Sequence, residues 1–179
     1  MDDARAPQAP WPDDDFVDFA RARQHTLLRA AYLVSGDLRV AEAVVRGALV
    51  ELARQWVRVR EEQPDLFVRR VVYREAVASW RKRPPLEVAA TQPDDAEAGD
   101  DQWDGEDADR RRELLAALDA VTPRQRAVVV LRWFEERTEG EAADVLGCGA
   151  DTVRGEAEVA LAALRAALPR VDLGTGGGR

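Results

Sequence analysis

The chain has 179 residues, with 26 Lys+Arg, 34 Asp+Glu, one His and one Cys, and a formal net charge of −8. This length holds one ordinary domain or two small ones, and a single cysteine excludes a disulfide framework and fits a reducing cytoplasm. One His and one Cys also exclude the usual zinc sites, no apolar run is long enough to span a membrane, and the start, MDDARAPQAPWPDDD, lacks the basic and apolar segments of a secretory signal.

Taken in blocks, the charge is uneven. Residues 1–15 carry −4 and read as a disordered acidic tail. Residues 16–85 carry +6 and have helical periodicity throughout. A first helix places Phe16, Phe19, Ala20, Arg23, Leu27, Ala30 and Ala31 at three/four spacing, with Asp13, Asp14 and Asp15 favourably at its N-terminal end. Ser35-Gly36-Asp37 breaks it, and Asp37 is a good cap for a second helix with an apolar stripe from Val40 to Trp56. A third helix starts near Pro64 and turns Phe67, Val68, Val71, Val72, Ala76 and Trp80 inward. It ends before Pro84-Pro85, where neither proline can continue it.

Residues 86–109 hold ten acids and no base, with Pro and Gly and few large apolar groups. They read as a flexible acidic linker. Residues 110–170 form a second helical domain. In it, Leu114, Leu115, Leu118 and Val121 mark a short helix, and Thr122-Pro123-Arg124-Gln125 is a capping box. That box opens a helix expected to turn Ala127, Val128, Val130, Leu131 and Phe134 inward, with Glu135 and Glu136 on an exposed face. Thr138-Glu139-Gly140-Glu141 is a second capping box, and a last helix runs from about Ala150 to Leu168. Residues 171–179 are a disordered end. No segment alternates with period two, so the fold class is all-α: two small helical domains joined by a flexible acidic linker.

Three positions carry a more specific signal. Ala143, Gly147 and Val153 have the spacing of a helix-turn-helix: a small residue for close approach, a glycine for a left-handed turn, and a branched residue to fill the wedge. An ordinary αα-hairpin with a glycine cap fits the same three positions about as well. In the first domain, Arg69, Arg70, Arg74, Arg81, Lys82 and Arg83 lie beside Tyr73 and Trp80. Cations for phosphates and aromatic faces for unpaired bases are what single-strand binding needs; the plainer alternative is a solvated basic face with Trp80 in the core.

The stretches FVDFARARQHTLLRAAYLVSGDLRVAEAVVRGALVELARQW, LFVRRVVYREAVASWRKR and LLAALDAVTPRQRAVVVLRWFEERTEGEAADVLGCGADTVRGEAEVALAALR together resemble the extracytoplasmic-function sigma factors of bacterial RNA polymerase, most nearly the actinobacterial sigma-E group. The resemblance spans residues 16 to about 165 apart from the linker. It implies a first domain that binds the polymerase clamp and melts the minus-ten element, and a second whose helix-turn-helix reads the minus-thirty-five element. It places the polymerase contact at Glu42, Arg46 and Glu51, and base or phosphate contacts at Thr152, Arg154 and Glu156. The implied partners are core RNA polymerase, promoter DNA and an anti-sigma factor, in the cytoplasm and with no cofactor.

Two departures from the family pattern stand out. Polar residues usual on the clamp-binding face are absent at Ala43 and Arg46. In the reading helix, Gly155, Glu156, Glu158 and Val159 replace a more basic run. A carboxylate facing phosphates is repelled, although it can accept from cytosine. These positions motivate a rival reading, a degenerate sigma-like regulator that binds a protein partner without specific promoter recognition. A one-component helix-turn-helix repressor would need a dimerisation helix, and none is obvious. His25 reads as a surface residue and Cys148 as a small packing residue. No nucleophile–base set or phosphate-cradling loop occurs, so an enzyme is not expected.

Overall fold

The computed structural model describes residues 14–80 and 114–167. The expected acidic tail, the linker, the C-terminal end, Arg81, Lys82 and Arg83, and the domain boundaries after 85, 109 and 170 lie outside the described residues.

Three helices form the first domain: α1 (Asp14–Ser35), α2 (Leu38–Val59) and α3 (Pro64–Trp80). Helix α1 begins with Asp14 and Asp15 in its first turn, where carboxylates complement the helix dipole. It stops at Gly36, whose φ of 68° no helix accommodates. Asp37 then caps α2, its Oδ1 accepting from the Val40 amide at 3.0 Å. Ala41, Val45, Ala48, Leu52, Trp56 and Val59 are the buried face of α2, at the spacing a single helical stripe requires. This stripe packs on Leu27 and Ala31 of α1 and on Val68, Val71 and Val72 of α3. Phe16 and Phe19 close one end over the Trp56 ring, with centroids at 5.4 and 5.5 Å.

In the second domain, residues 114–118 are helical (α4) and are followed by α5 (Pro123–Val129), α6 (Glu139–Leu146) and α7 (Ala150–Ala167). Both expected capping boxes form. Thr122 exchanges hydrogen bonds with Gln125, and Thr138 with Glu141.

The end of α5 departs from the regular helix expected. It widens into a π turn over Val130–Phe134, in which the Glu135 amide donates to Val130 and the Arg137 amide to Leu131, both at 2.9 Å. The extra residue in the turn rotates the side chains that follow. Phe134 therefore faces partly outward instead of inward, and Glu135 turns in rather than lying on an exposed face. Glu136 takes φ 54°, a left-handed conformation that costs a side-chain-bearing residue about 1–2 kcal/mol. Glycine would remove that cost and give back part of it as chain entropy. Glu136→Gly is therefore expected to stabilise the protein by up to about 1 kcal/mol, read as a higher urea midpoint. Within α7, an added Cβ at Gly155 would meet nothing within 4 Å. Gly155→Ala is expected to add about 1 kcal/mol of helix stability, read as a higher thermal midpoint.

The two helical units share a core. One apolar cluster takes Ala30 and Val34 from α1, Tyr73 and Ala76 from α3, and Ala127, Val128, Leu131, Ala142, Ala143, Val145 and Val153 from the second unit. A smaller cluster joins Ala117, Leu118 and Val121 to Ala160 and Leu164 of α7, with Leu33 of α1 against it. Helix α3 is thus sandwiched, with α2 on one side and α6 on the other.

Candidate nucleic-acid interface

The basic residues of α3 do not share one environment. Arg69 is almost fully buried: its Nε donates to Asp65 Oδ2 at 2.8 Å and its Nη1 to Glu135 of the second domain. Arg70 lies at the edge of the interface, its Nε donating to the Asp144 carbonyl at 2.7 Å. That carbonyl is in the last turn of α6, where helix acceptors lack intrahelical donors, so Arg70 caps the neighbouring domain's helix. Arg74 is exposed and pairs with Glu75 and, at 3.5 Å, with Glu51 of α2. Trp80 donates its indole N–H to the Val34 carbonyl at 2.6 Å, and the Arg126 guanidinium sits 5.1 Å from its ring centroid.

Between these helices lies an ionic cluster that the sequence reading did not foresee. The Glu135 side chain is only 3% exposed. It accepts from Arg69 and, at 3.1 Å, from the Tyr73 hydroxyl, and Arg137 lies 3.9 Å away. Arg137 also reaches Asp65 at 3.3 Å. Burial pushes Glu135 above the ordinary carboxylate range, opposed by the charges of Arg69 and Arg137 and by the Tyr73 hydrogen bond. Arg69 shifts the other way in terms of charge. Desolvation works against its guanidinium, yet Asp65 and Glu135 outweigh it and hold its pKa above the usual value. With only donors around it, Glu135 must accept from all of them, so the ionised carboxylate is the form the geometry supports. Burial raises the Tyr73 hydroxyl well above its usual range, so it remains a donor.

A second bridge involves Arg126, whose side chain is 0% exposed. Its Nε donates to the Leu33 carbonyl at the end of α1, and Nη1 reaches Asp119 at 2.9 Å. Arg126 lies four residues before buried Val130, on the inward stripe of its helix, and that position was its signal in the sequence. Glu135 had no comparable signal, because its direction depends on the π turn.

In the helix-turn-helix segment, α6 ends at Gly147 with φ 64° and ψ 42°, and the amide of Cys148 donates to Ala143 at 3.0 Å. Ala143 and Val153 are buried together. Thr152 and Arg154 are exposed at the start of α7. Arg154 is engaged by Glu139 of α6 through Nη2 at 2.8 Å and Nε at 3.1 Å, and by Asp151 at 3.1 Å. The Arg154 hydrogen bond holds Glu139 below the usual carboxylate range. Glu156 is half-buried, 4.0 Å from Arg124. On α2, Glu42 and Arg46 are exposed on one face with Val50 and Val57, whereas Glu51 sits on the flank toward Arg74. Val50 and Val57 are apolar groups on this outer face that the sequence reading did not single out.

Comparison with known proteins places this arrangement. The family described as Sigma-70, region 4 matches residues 117–166, which include the helix-turn-helix. An RNA polymerase sigma-E factor of Streptomyces avermitilis is 34% identical over 160 residues, covering 89% of this chain and 88% of the relative. The chain belongs to the extracytoplasmic-function sigma factors. A Streptomyces coelicolor sigma-E factor is likewise 34% identical over 160 residues, covering 89% of each chain. The fold also resembles that of the sigma factor RpoE from Bartonella quintana, solved in complex with the anti-sigma factor NepR. The TM-score there is 0.63 at 19% identity, covering 88% of this chain and 99% of that one.

In chain order, the three-helix unit carrying the basic helix α3 precedes the helix-turn-helix. Among the described residues no helix is long and apolar enough to cross a membrane, and no group of His, Cys, Asp and Glu is placed to hold a metal ion.

Proposed function

We propose that this protein binds core RNA polymerase and directs promoter recognition and opening, acting in the cytoplasm without catalytic chemistry of its own. The observation that carries this reading is the 34% identity to RNA polymerase sigma-E factors along 160 residues, a stretch that includes both helical units. The outer face of α2 combines the charges of Glu42 and Arg46 with the exposed apolar Val50 and Val57, a mixture that suits a protein contact. Glu51, paired with Arg74, borders that face. Exposed Arg70 and Arg74 of α3, with Arg81, Lys82 and Arg83 after it and part-buried Trp80 as the ring, supply the groups for melted promoter DNA; Arg69, enclosed by Asp65 and Glu135, does not share that face. Thr152, Arg154 and Glu156 of α7 face the upstream element. An anti-sigma factor is a further partner, consistent with the family.

The engagement of Arg154 by Glu139 and Asp151 favours one second reading, a sigma-like regulator that engages polymerase without reading a promoter. The first test is reconstitution with core polymerase and gel filtration. Stoichiometric co-elution is expected, and Val57→Glu, at the most exposed apolar residue of α2, is expected to weaken it at least tenfold. A chain that elutes separately from the polymerase contradicts both readings.

A further inference from the structure

Helix α7 offers a promoter a single cation in its first two turns, Arg154, and the fold does not leave that side chain loose. Its Nε and Nη2 both donate to Glu139 Oε2, at 3.1 and 2.8 Å, and its Nη1 donates to Asp151 Oδ1 at 3.1 Å. Helix α6 thereby holds one edge of the guanidinium, while the side chain stays 55% exposed. Each terminal nitrogen carries a pair of hydrogens, so Nη1 and Nη2 each keep an N–H. Two N–H groups on neighbouring nitrogens are the pattern that reads the O6 and N7 acceptors of guanine. We infer that Glu139 is a positioning residue for promoter reading: it holds one edge of Arg154 so that the outer N–H pair meets a guanine, and keeps the side chain from settling on a phosphate.

Charge and anchoring both support that division. Glu139, Asp151 and, one turn further along α7, Glu158 put three carboxylates around one guanidinium. They hold its pKa above the usual value, the Glu139 hydrogen bond most of all. A phosphate would have to displace Glu139 and would still face the other two acids. A base edge brings acceptors without a formal charge. Glu139 is itself fixed. It opens α6, whose first turn is closed by the Thr138–Glu141 capping box, and α6 packs on α7 through buried Ala143 and Val153. Glu156 pairs instead with Arg124, at 4.0 Å. A long side chain held before it meets DNA loses less freedom on binding, which is what a supporting hydrogen bond behind a reading group provides.

This inference rests on the promoter-reading role proposed for α7, and it opposes the second reading, in which the same ion pairs silence the helix. In the test, the full chain with core polymerase transcribes a template pool built on its strongest genomic promoter, with the upstream element randomised, and the transcripts are sequenced. The parent is expected to prefer guanine at one upstream position by at least about fivefold, the low end of what one bidentate base contact contributes. Glu139→Ala is expected to bring that preference below about twofold and to spare the other positions. Its transcription is expected to fall more steeply with salt, as Arg154 turns to a phosphate. Arg154→Lys, which keeps the charge without the fork, is expected to erase the same preference. Adding Glu139→Ala to it is expected to change nothing further at that position. A Glu139 needed only to stabilise the start of α6 would lower transcription from every template alike. That result overturns the inference, as does a guanine preference that Glu139→Ala leaves untouched or that the parent lacks. Transcripts that do not need the chain would bring down the sigma-factor reading and this inference with it. Chain-dependent transcripts without the Glu139 effect contradict the inference alone.

Discussion

Glu135→Leu is expected to destabilise the closed protein by about 3–5 kcal/mol, the usual cost of leaving a buried charge without its partner. The stranded group is Arg69, which is nearly inaccessible and would keep only Asp65. The Tyr73 hydroxyl loses its acceptor at the same time. The magnitude follows from burial: an exposed pair of the same geometry would contribute about 0–1 kcal/mol. A double replacement makes the argument sharper. Arg69→Met with Glu135→Leu removes both charges and fills similar volume, so it is expected to recover most of the loss, as apolar replacements of buried pairs often do. Urea denaturation of the parent, the single variants and the double variant measures this. A single variant within about 0.5 kcal/mol of the parent would mean that the cluster does not hold the interface.

Trp56→Ala is the second large effect. This indole lies between α1 and α2, packed by Phe16 and Phe19, and is 5% exposed in the cluster that joins the three helices. Truncation removes the ring's transfer energy and leaves a cavity that α1 cannot fill by collapse alone. About 3–5 kcal/mol is expected. That is a large part of the 5–15 kcal/mol that typically separates folded from unfolded chains. The expected result is a protein whose first domain melts early in a thermal scan. An unchanged melting profile would show that Trp56 is not a core residue.

The contrast between these sites explains which features are legible in the sequence. Asp37, Thr122 and Thr138 act on amides three residues away, so the start of each capped helix is written locally. The stripe from Ala41 to Val59 has a period of its own and needs no partner to be recognised. The left-handed Gly147 follows from the same local logic. The interface between domains has no such signature. Arg69 and Glu135 lie 66 positions apart and look like solvated charges until the fold brings them together. Phe134 and Glu135 exchange inward and outward places because one residue is inserted in a helical turn, a change that apolar spacing alone does not register. Arg154 likewise reads as a free DNA contact in sequence, while Glu139, fifteen residues earlier, occupies it in the fold.

The same contrast bears on the reading helix. Arg154 can exchange Glu139 for a phosphate at small cost, because that pair is exposed. Glu156 and Glu158 cannot change sign. Promoter recognition by α7 therefore depends on Arg154 keeping Glu139 and reading a base edge, on a carboxylate accepting from one, or on the first domain carrying more of the specificity.

The central claim, that this chain directs initiation at promoters, is tested most directly by run-off transcription on a genomic template library with core polymerase, followed by sequencing of transcript starts. Discrete start sites are expected that require the chain, share a common upstream sequence, and weaken when Arg74 is replaced by glutamate. Starts that are unchanged when the chain is omitted, or scattered without a common upstream sequence, would contradict it.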